Sequence, residues 1–419
     1  MKTNTIKLMW WAILLILSAC HNSNPTNREN RFNYYETFGE TGSIRNIKPD
    51  SSSVYNFTVP DDLNKISIRV DTILKEKKII QLETNEKCMI RHIDEIIAYD
   101  NRIIVVDKTR EQVAFIFSAE GEFISQLGSN GRGPDEYLSL RDIALNNNTG
   151  EIVLYDGKGR KLMFYDENGN FIKKKKSFVY GDNLAIINEN CFVYSQLNNV
   201  NTHISGIHDY QIIIADSTQQ IISKAFSYNY PERNKKIDIY NMFNFSNYSN
   251  KLYFNPLFTN QVYQITDAAS IDLVYDFNLK GKDVLNKLKD FKNNDDYIND
   301  FNINRSWGFH GILLEANGWT YAKIKNGGMI YFNRENNNTM YGNSISFAQL
   351  SDNNHIKKIG DHYKFFINTV SASDGFFIGY VWPYELFHNI SESEKLEFSD
   401  LKRAVNYDDN PILQFYKLK

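Results

Sequence analysis

The sequence is poor in the residues that announce chemistry. It holds 3 cysteines, 8 histidines and 8 prolines in 419 residues. Three cysteines cannot build a disulfide framework, and no CxxC or Cys/His spacing of a zinc site occurs. HExxH, a Gly-x-Ser-x-Gly elbow and a DxDxDG calcium loop are all missing, which removes the common metalloprotease, α/β-hydrolase and EF-hand readings. An excess of one charge is missing too. Lys plus Arg is 47 against 50 for Asp plus Glu, a net charge of −3, which argues against a nucleic-acid partner. Beyond the first twenty residues no hydrophobic run is long enough to span a bilayer. What is present is apolar and aromatic. Hydrophobic residues make up 42% of the chain, enough to build a core. The 26 Tyr and 28 Phe, with few prolines, lean towards β-structure.

The N-terminus reads as an export signal. Lys2 and Lys7 precede an apolar run over residues 9–17 (MWWAILLIL), and Leu17, Ser18 and Ala19 lead into Cys20. The run is too short for a comfortable membrane span. The tetrapeptide resembles the bacterial lipobox, a resemblance that implies removal of residues 1–19 and acylation of Cys20. Several acyl chains, at about 0.8 kcal/mol per buried CH₂, make a stable membrane anchor. Residues 20–70 then form a tether and N-terminal extension. The tether (HNSNPTNREN) has Glu29 as its only acid. It lacks the acidic cluster shared by surface-displayed lipoproteins of Bacteroidetes, so the expected address is the periplasmic face of an outer membrane. Cys88 and Cys191 remain, and each reads as a small buried hydrophobe.

Internal repetition sets the architecture of residues 71–419. Residues 103–124 (IIVVDKTREQVAFIFSAEGEFI) and 152–172 (IVLYDGKGRKLMFYDENGNFI) share one pattern. An apolar run ends in Asp107 or Asp156, a polar stretch follows, then a second apolar run. A turn at Glu120 and Gly121, or at Asn168 and Gly169, leads to a third strand; Asn-Gly between apolar runs suggests a type I′ hairpin. Equivalent positions are 48 or 49 residues apart, the period of a four-stranded propeller blade. Fainter copies occupy residues 191–215, 251–265, 318–332 and 375–382, giving six blades. Residues 283–301 read as an inserted helix or lid capped by Asp283, with Val284, Leu285, Leu288 and Phe291 on one face. Isolated strands at residues 78–83 (KIIQLE) and 412–418 (ILQFYKL) are expected to meet in the last blade and so close the ring. The fold expected is all-β: a six-bladed β-propeller with a short inserted helix behind an N-terminal lipoprotein signal.

The loop holding Gly128, Gly131, Arg132, Gly133, Pro134, Glu136 and Tyr137, followed by Arg141 and Asp142, resembles the interblade signature of NHL-type propellers. With the lipobox, Leu82-Glu83-Thr84 and the closing PILQFYKLK, the chain resembles the six-bladed β-propeller lipoproteins of Bacteroidetes. The resemblance spans roughly residues 70–419 and implies a fold and an address; that family's general function is unsettled.

Candidate sites follow from the register of the repeats. The glycine loop lacks the Gly-Lys-Ser/Thr of a phosphate loop and runs into Pro134, so it reads as a blade crossing braced by Arg132, Glu136 and Tyr137. Asp107 and Asp156 read as caps of the following turn. The run Lys173 to Lys176 reads as a solvated outer edge strand. Aligning the strand-end aspartates brings His92, Arg141, Asp142 and His310 to one mouth of the channel, where they would hold a carboxylate, a sugar or a metal ion. No cofactor is named by the residues. The leading expectation is a non-catalytic lipoprotein that binds a small molecule, a saccharide or a protein. The alternatives are a channel-metal-dependent lyase or hydrolase of the NHL or lactonase kind, and a scaffold subunit of an outer-membrane complex.

Overall fold

The computed structural model of the protein describes residues 43–60, 67–69, 73–187, 191–196, 201–228, 245–248, 251–342, 344–346, 368–387 and 403–419. Cys20, the signal and the tether lie outside the described residues. Within them, short apolar strands separated by polar turns fold into antiparallel four-stranded meanders. Blade one is Glu95–Tyr99, Arg102–Asp107, Val113–Ser118 and Phe123–Gln126. Blade two is Leu140–Leu145, Ile152–Asp156, Lys161–Tyr165 and Phe171–Lys176. Blade three runs from Asn183–Ile187 to Ile221–Ser227, blade four from Phe245–Tyr248 to Ile271–Asn278, and blade five from Gly308–Ala316 to Thr339–Gly342. Blade six joins Asn368–Ser373 and Phe376–Val381 to the last strand, Ile412–Leu418, and the early strand Leu74–Gln81. Leu413 pairs with Ile80 and Phe415 with Lys78. The ring is thus a six-bladed β-propeller closed by pairing early and late chain, which removes two free edges.

A single meander cannot bury both of its faces, so the core lies between blades. Ile104 and Ile116 of blade one pack with Ile143, Leu154 and Met163 of blade two. Val153 and Phe164 meet Phe192 and Ile213 at the next interface. Aromatics concentrate where blades four, five and six meet, with Tyr275, Phe309, Trp319, Tyr321, Tyr331, Phe377 and Tyr416 in one buried cluster. Phe377 stands edge-on to Tyr331 at 5.6 Å between ring centres. Each such side chain contributes about 1.5–3 kcal/mol by burial. Cys88 lies in the cluster between blades six and one and Cys191 in that between blades three and four; both are buried and neither is in a disulfide.

The extension before residue 71 is built into the ring. Arg45–Asn46 pairs in parallel with the outer strand of blade three, and Tyr55–Thr58 with that of blade four. Ser67–Arg69 pairs in parallel with Ser344–Ser346, just past blade five. Ile47 and Phe57 are buried against the blades they cross, and Phe57 meets Phe332 edge-on at 5.0 Å. The segment girdles three blades before becoming the outer strand of the sixth.

Antiparallel order also sorts the connections. Those joining first to second and third to fourth strands fall on one face and span two to six residues. Those joining second to third strands, and one blade to the next, fall on the other face and reach 30 residues. The turn face uses type I′ pairs at Asp100 and Asn101, Asn317 and Gly318, and Asp374 and Gly375, where both residues have positive φ. The turns at Gly121 and Gly169 differ from the type I′ expectation. Only the glycines are left-handed, at φ 87° and 82°, and a bulge follows each. Gly121 N–H donates to Ser118 O at 3.0 Å and Gly169 N–H to Asp166 O at 3.0 Å, the geometry of a type I turn with a glycine bulge.

The insertion between blades four and five is likewise not one helix. Asp283 caps only a 3₁₀ turn, Val284–Lys287, and a separate helix, Asn294–Asn299, is capped by Asn293. Val284, Leu288, Phe291, Tyr297 and Phe301 make a small core of their own. A short helix is thus present in the insertion, but the apolar spacing over residues 284–291 begins in the 3₁₀ turn and lies outside that helix.

Candidate functional site

The inner strands of the blades surround a channel cavity of about 260 Å³. Its middle is apolar, with Ile96, Leu184, Ile312, Leu314 and Val370 among the lining residues. Tyr99, Asn147 and Asp374 stand at the turn-face end, where Tyr99 OH donates to Asn147 O at 3.1 Å. Apart from Asp374, the charged lining is gathered at the long-loop end.

There the strands that open blades one, two and three converge. Lys108, one residue past the strand end at Asp107, reaches across a blade boundary. Its Nζ donates to Asp142 Oδ1 of blade two at 2.6 Å and to Glu95 Oε2 of its own blade at 2.7 Å. Asp142 Oδ2 in turn accepts from Leu184 N–H of blade three at 2.7 Å. Asp94, buried beside Glu95, accepts from Lys108 N–H at 2.7 Å and from Thr109 N–H at 3.0 Å. This chain of charge-assisted bonds ties three blades at one mouth. Burial pushes the Glu95 carboxyl up, with Asp142 and Asp94 adding to the push against the pull of Lys108. Burial alone would lower the Lys108 ammonium, but Asp142 and Glu95 outweigh it and hold the group charged.

Of the four residues singled out from the repeats, Asp142 lines the channel. His92 sits one step outside, its Nε2 3.2 Å from Asp94 Oδ1 and its side chain 32% exposed. Arg141 turns the other way and pairs with Asp182. His310 lies in the backbone of the strand Gly308–Ala316; its side chain is outside the described residues. Glu95, Lys108 and Asp94 are the additions that sequence reasoning missed. The available signals were Lys108 directly after the strand-end Asp and the acidic pair that follows His92. Asp94, Glu95, Asp142 and Asp182 against Lys108 and Arg141 leave the mouth with two surplus carboxylates. Among the described residues no group of three His, Cys, Asp or Glu side chains is placed to hold a metal ion. The space between Glu95 and Asp142, where a cation would sit, is taken by the Lys108 ammonium.

The remaining motifs are structural in their contacts. Gly133 N–H donates to Glu136 Oε2 at 2.6 Å, Tyr137 OH donates to Gln112 O at 2.8 Å, and a Cβ on Gly131 would collide with the Glu136 carboxylate. Glu136 and Tyr137 therefore brace the crossing from blade one to two. Asp156 accepts from the N–H groups of Leu138, Ser139 and Gly159, and Asp107 from those of Thr109 and Arg110. Equivalent places in later blades carry amides instead: Asn255 donates to Gln261 O at 2.7 Å and Asn326 to Phe301 O at 2.9 Å.

A family model described as a domain of unknown function (DUF4934) matches residues 54–417. Among solved structures the chain is similar to a candidate exported protein from Bacteroides fragilis NCTC 9343. The two are 18% identical with a TM-score of 0.65, over 88% of this chain and 100% of that one. It is also similar to a member of the duf4221 family from Bacteroides vulgatus, 9% identical with a TM-score of 0.44, over 83% of this chain and 97% of that one. No curated protein matches. The Bacteroides fragilis likeness supports the fold and carries no activity. No helix among the described residues is long and apolar enough to cross a membrane.

Proposed function

The chain belongs to the family described as a domain of unknown function (DUF4934), and we propose that it is a non-catalytic binding propeller that takes its ligand at the long-loop mouth of the channel. The observation that carries this reading is the Lys108 bridge between Glu95 and Asp142. A metal-dependent channel needs an open coordination position at the ion. Here the central cation is a side chain, and the carboxylates around it are held by Lys108 and by backbone amides. The metal-dependent lyase or hydrolase is the weaker alternative for that reason.

The chemistry of the mouth narrows the ligand. Two surplus carboxylates disfavour an anion and favour a donor-rich group, an amine or a set of hydroxyls. The apolar middle of the channel suits a small hydrocarbon portion behind it. The long loops of the same face offer a rim that a protein partner would also meet, which keeps the scaffold reading open on that surface. A lipid on Cys20 would hold the ring at the periplasmic face of an outer membrane; acyl labelling that survives Cys20→Ser would contradict that anchor.

Native mass spectrometry of the protein mixed with a low-molecular-weight envelope extract tests the binding reading. The expected result is a retained compound of unchanged mass, lost when Ile312→Trp fills the channel. Conversion of compounds, or stoichiometric zinc or calcium that is lost in His92→Ala or His310→Ala, would replace this reading with the enzyme.

A further inference from the structure

A second cavity opens on the long-loop face at blade four. Its volume is about 530 Å³, the size of a small-ligand site, and it shares no lining residue with the channel. Three parts of the chain build it. The girdle strand Tyr55–Thr58 supplies Asn56 and Thr58, both exposed. Blade four supplies Asn260 and Gln261, where its second strand connects to its third, and Asp276 and Asn278 at the end of its outer strand. The insertion before blade five supplies Asp283 and Leu285.

The two carboxylates are held by amides that are themselves held. Gln261 Nε2 donates to Asp276 Oδ2 at 2.9 Å, and its Oε1 accepts from Tyr263 OH at 2.8 Å. Asn260 Nδ2 donates to Asp283 Oδ2 at 2.7 Å, and its Oδ1 accepts from Phe309 N–H at 3.1 Å. Such backing fixes the groups that face a ligand. Asp142, Asp300 and Glu315 each pair with a lysine. Among the described residues Asp276 and Asp283 pair with neutral groups alone. Burial pushes the Asp283 carboxyl up, and no cation opposes it.

The remaining polar atoms are mixed in kind. Asp276 Oδ1 is an open acceptor. Asn278 Oδ1 accepts from Lys280 N–H at 3.0 Å, which leaves its Nδ2 as an open donor. The Thr58 hydroxyl serves as either. A ligand for this set must donate to the carboxylates and also accept from Asn278. An amine donates but cannot accept, and an acid is repelled by the two carboxylates. Hydroxyl groups do both.

We propose that this groove is a second binding site, separate from the channel, for a neutral saccharide whose hydroxyls donate to Asp276 and Asp283 and accept from Asn278. It does not rest on the channel-mouth reading, and either can fail alone.

Binding of the full chain to an array of neutral, uronic-acid and sulfated oligosaccharides tests this. The expected result is binding to neutral members, weakened about ten-fold or more by Asp276→Ala. Thr58→Trp, which fills the groove from an exposed position, should weaken it as much. Ile312→Trp, which fills the channel, should leave it unchanged. Binding that survives both groove variants, or that only Ile312→Trp removes, would place the saccharide elsewhere and overturn the proposal. Binding to acidic members alone, or to none by protein with a cooperative thermal transition, would also overturn it.

Discussion

Lys108 and Glu315 show two uses of buried charge in one ring. Lys108 joins blades across the channel mouth. Glu315, buried between blades four and five, accepts from Lys251 at 2.8 Å, Arg334 at 2.7 Å and Tyr275 OH at 2.7 Å. Burial alone would raise its carboxyl, but the Lys251 hydrogen bond and the Arg334 charge outweigh it and hold it below the usual glutamate range. The folded carboxyl is therefore the stronger acid. Its stabilising contribution is complete above the unfolded value of about 4.3 and is lost as pH falls through the lower folded value. Glu315→Gln should cost about 3 kcal/mol at pH 7, a deficit that shrinks as pH falls below 4. Urea unfolding at both pH values checks this; an equal deficit at both would contradict it. The pairings in both clusters were not legible in the sequence beforehand, although the repeat register placed Asp142 near the mouth. Lys108 meets its partner 34 residues on, and Lys251 meets Glu315 64 residues on. Such pairings follow from blade order, which no local pattern records.

At the scale of elements, the integrity of the ring rests on the closing strand. Tyr416 sits in Ile412–Leu418 and shares its hydroxyl with Tyr331 of blade five at 2.7 Å and with Thr369 of blade six at 2.7 Å. All three groups are buried. Tyr416→Phe strands two polar groups and should cost about 1–3 kcal/mol, read as a lower urea midpoint with an unchanged slope. A loss under about 0.5 kcal/mol, the scatter of an ordinary surface substitution, would mean the network is not part of ring closure. The closing pair itself was readable, because residues 78–83 and 412–418 are isolated apolar runs with no partner nearby in sequence. The girdling strands were not readable. Arg45–Asn46 is exposed and polar, and it forms because blade three offers an edge. The turn types divided in the same way. Asn168 and Gly169 look like a type I′ pair, but the strand twist there is met by a bulge; Asp100 and Asn101 adopt both positive φ values without a glycine.

The whole molecule has two unlike faces. One is closed by turns of two to six residues; the other carries every long connection and the charged mouth of the channel. The 48–49-residue period of the first two blades made the ring legible and placed Asp142 near its mouth. It gave no account of which end of the channel gathers charge, because that depends on where the insertions fall. A ligand bound at the long-loop face should protect the backbone of the channel mouth. Hydrogen exchange of the protein with and without the retained compound measures this directly. Slowed exchange is predicted for residues 108–110, 140–142 and 183–184 at the mouth, with residues 99–101, 146–151 and 373–375 unchanged. Slowed exchange confined to the turn-face residues would contradict it.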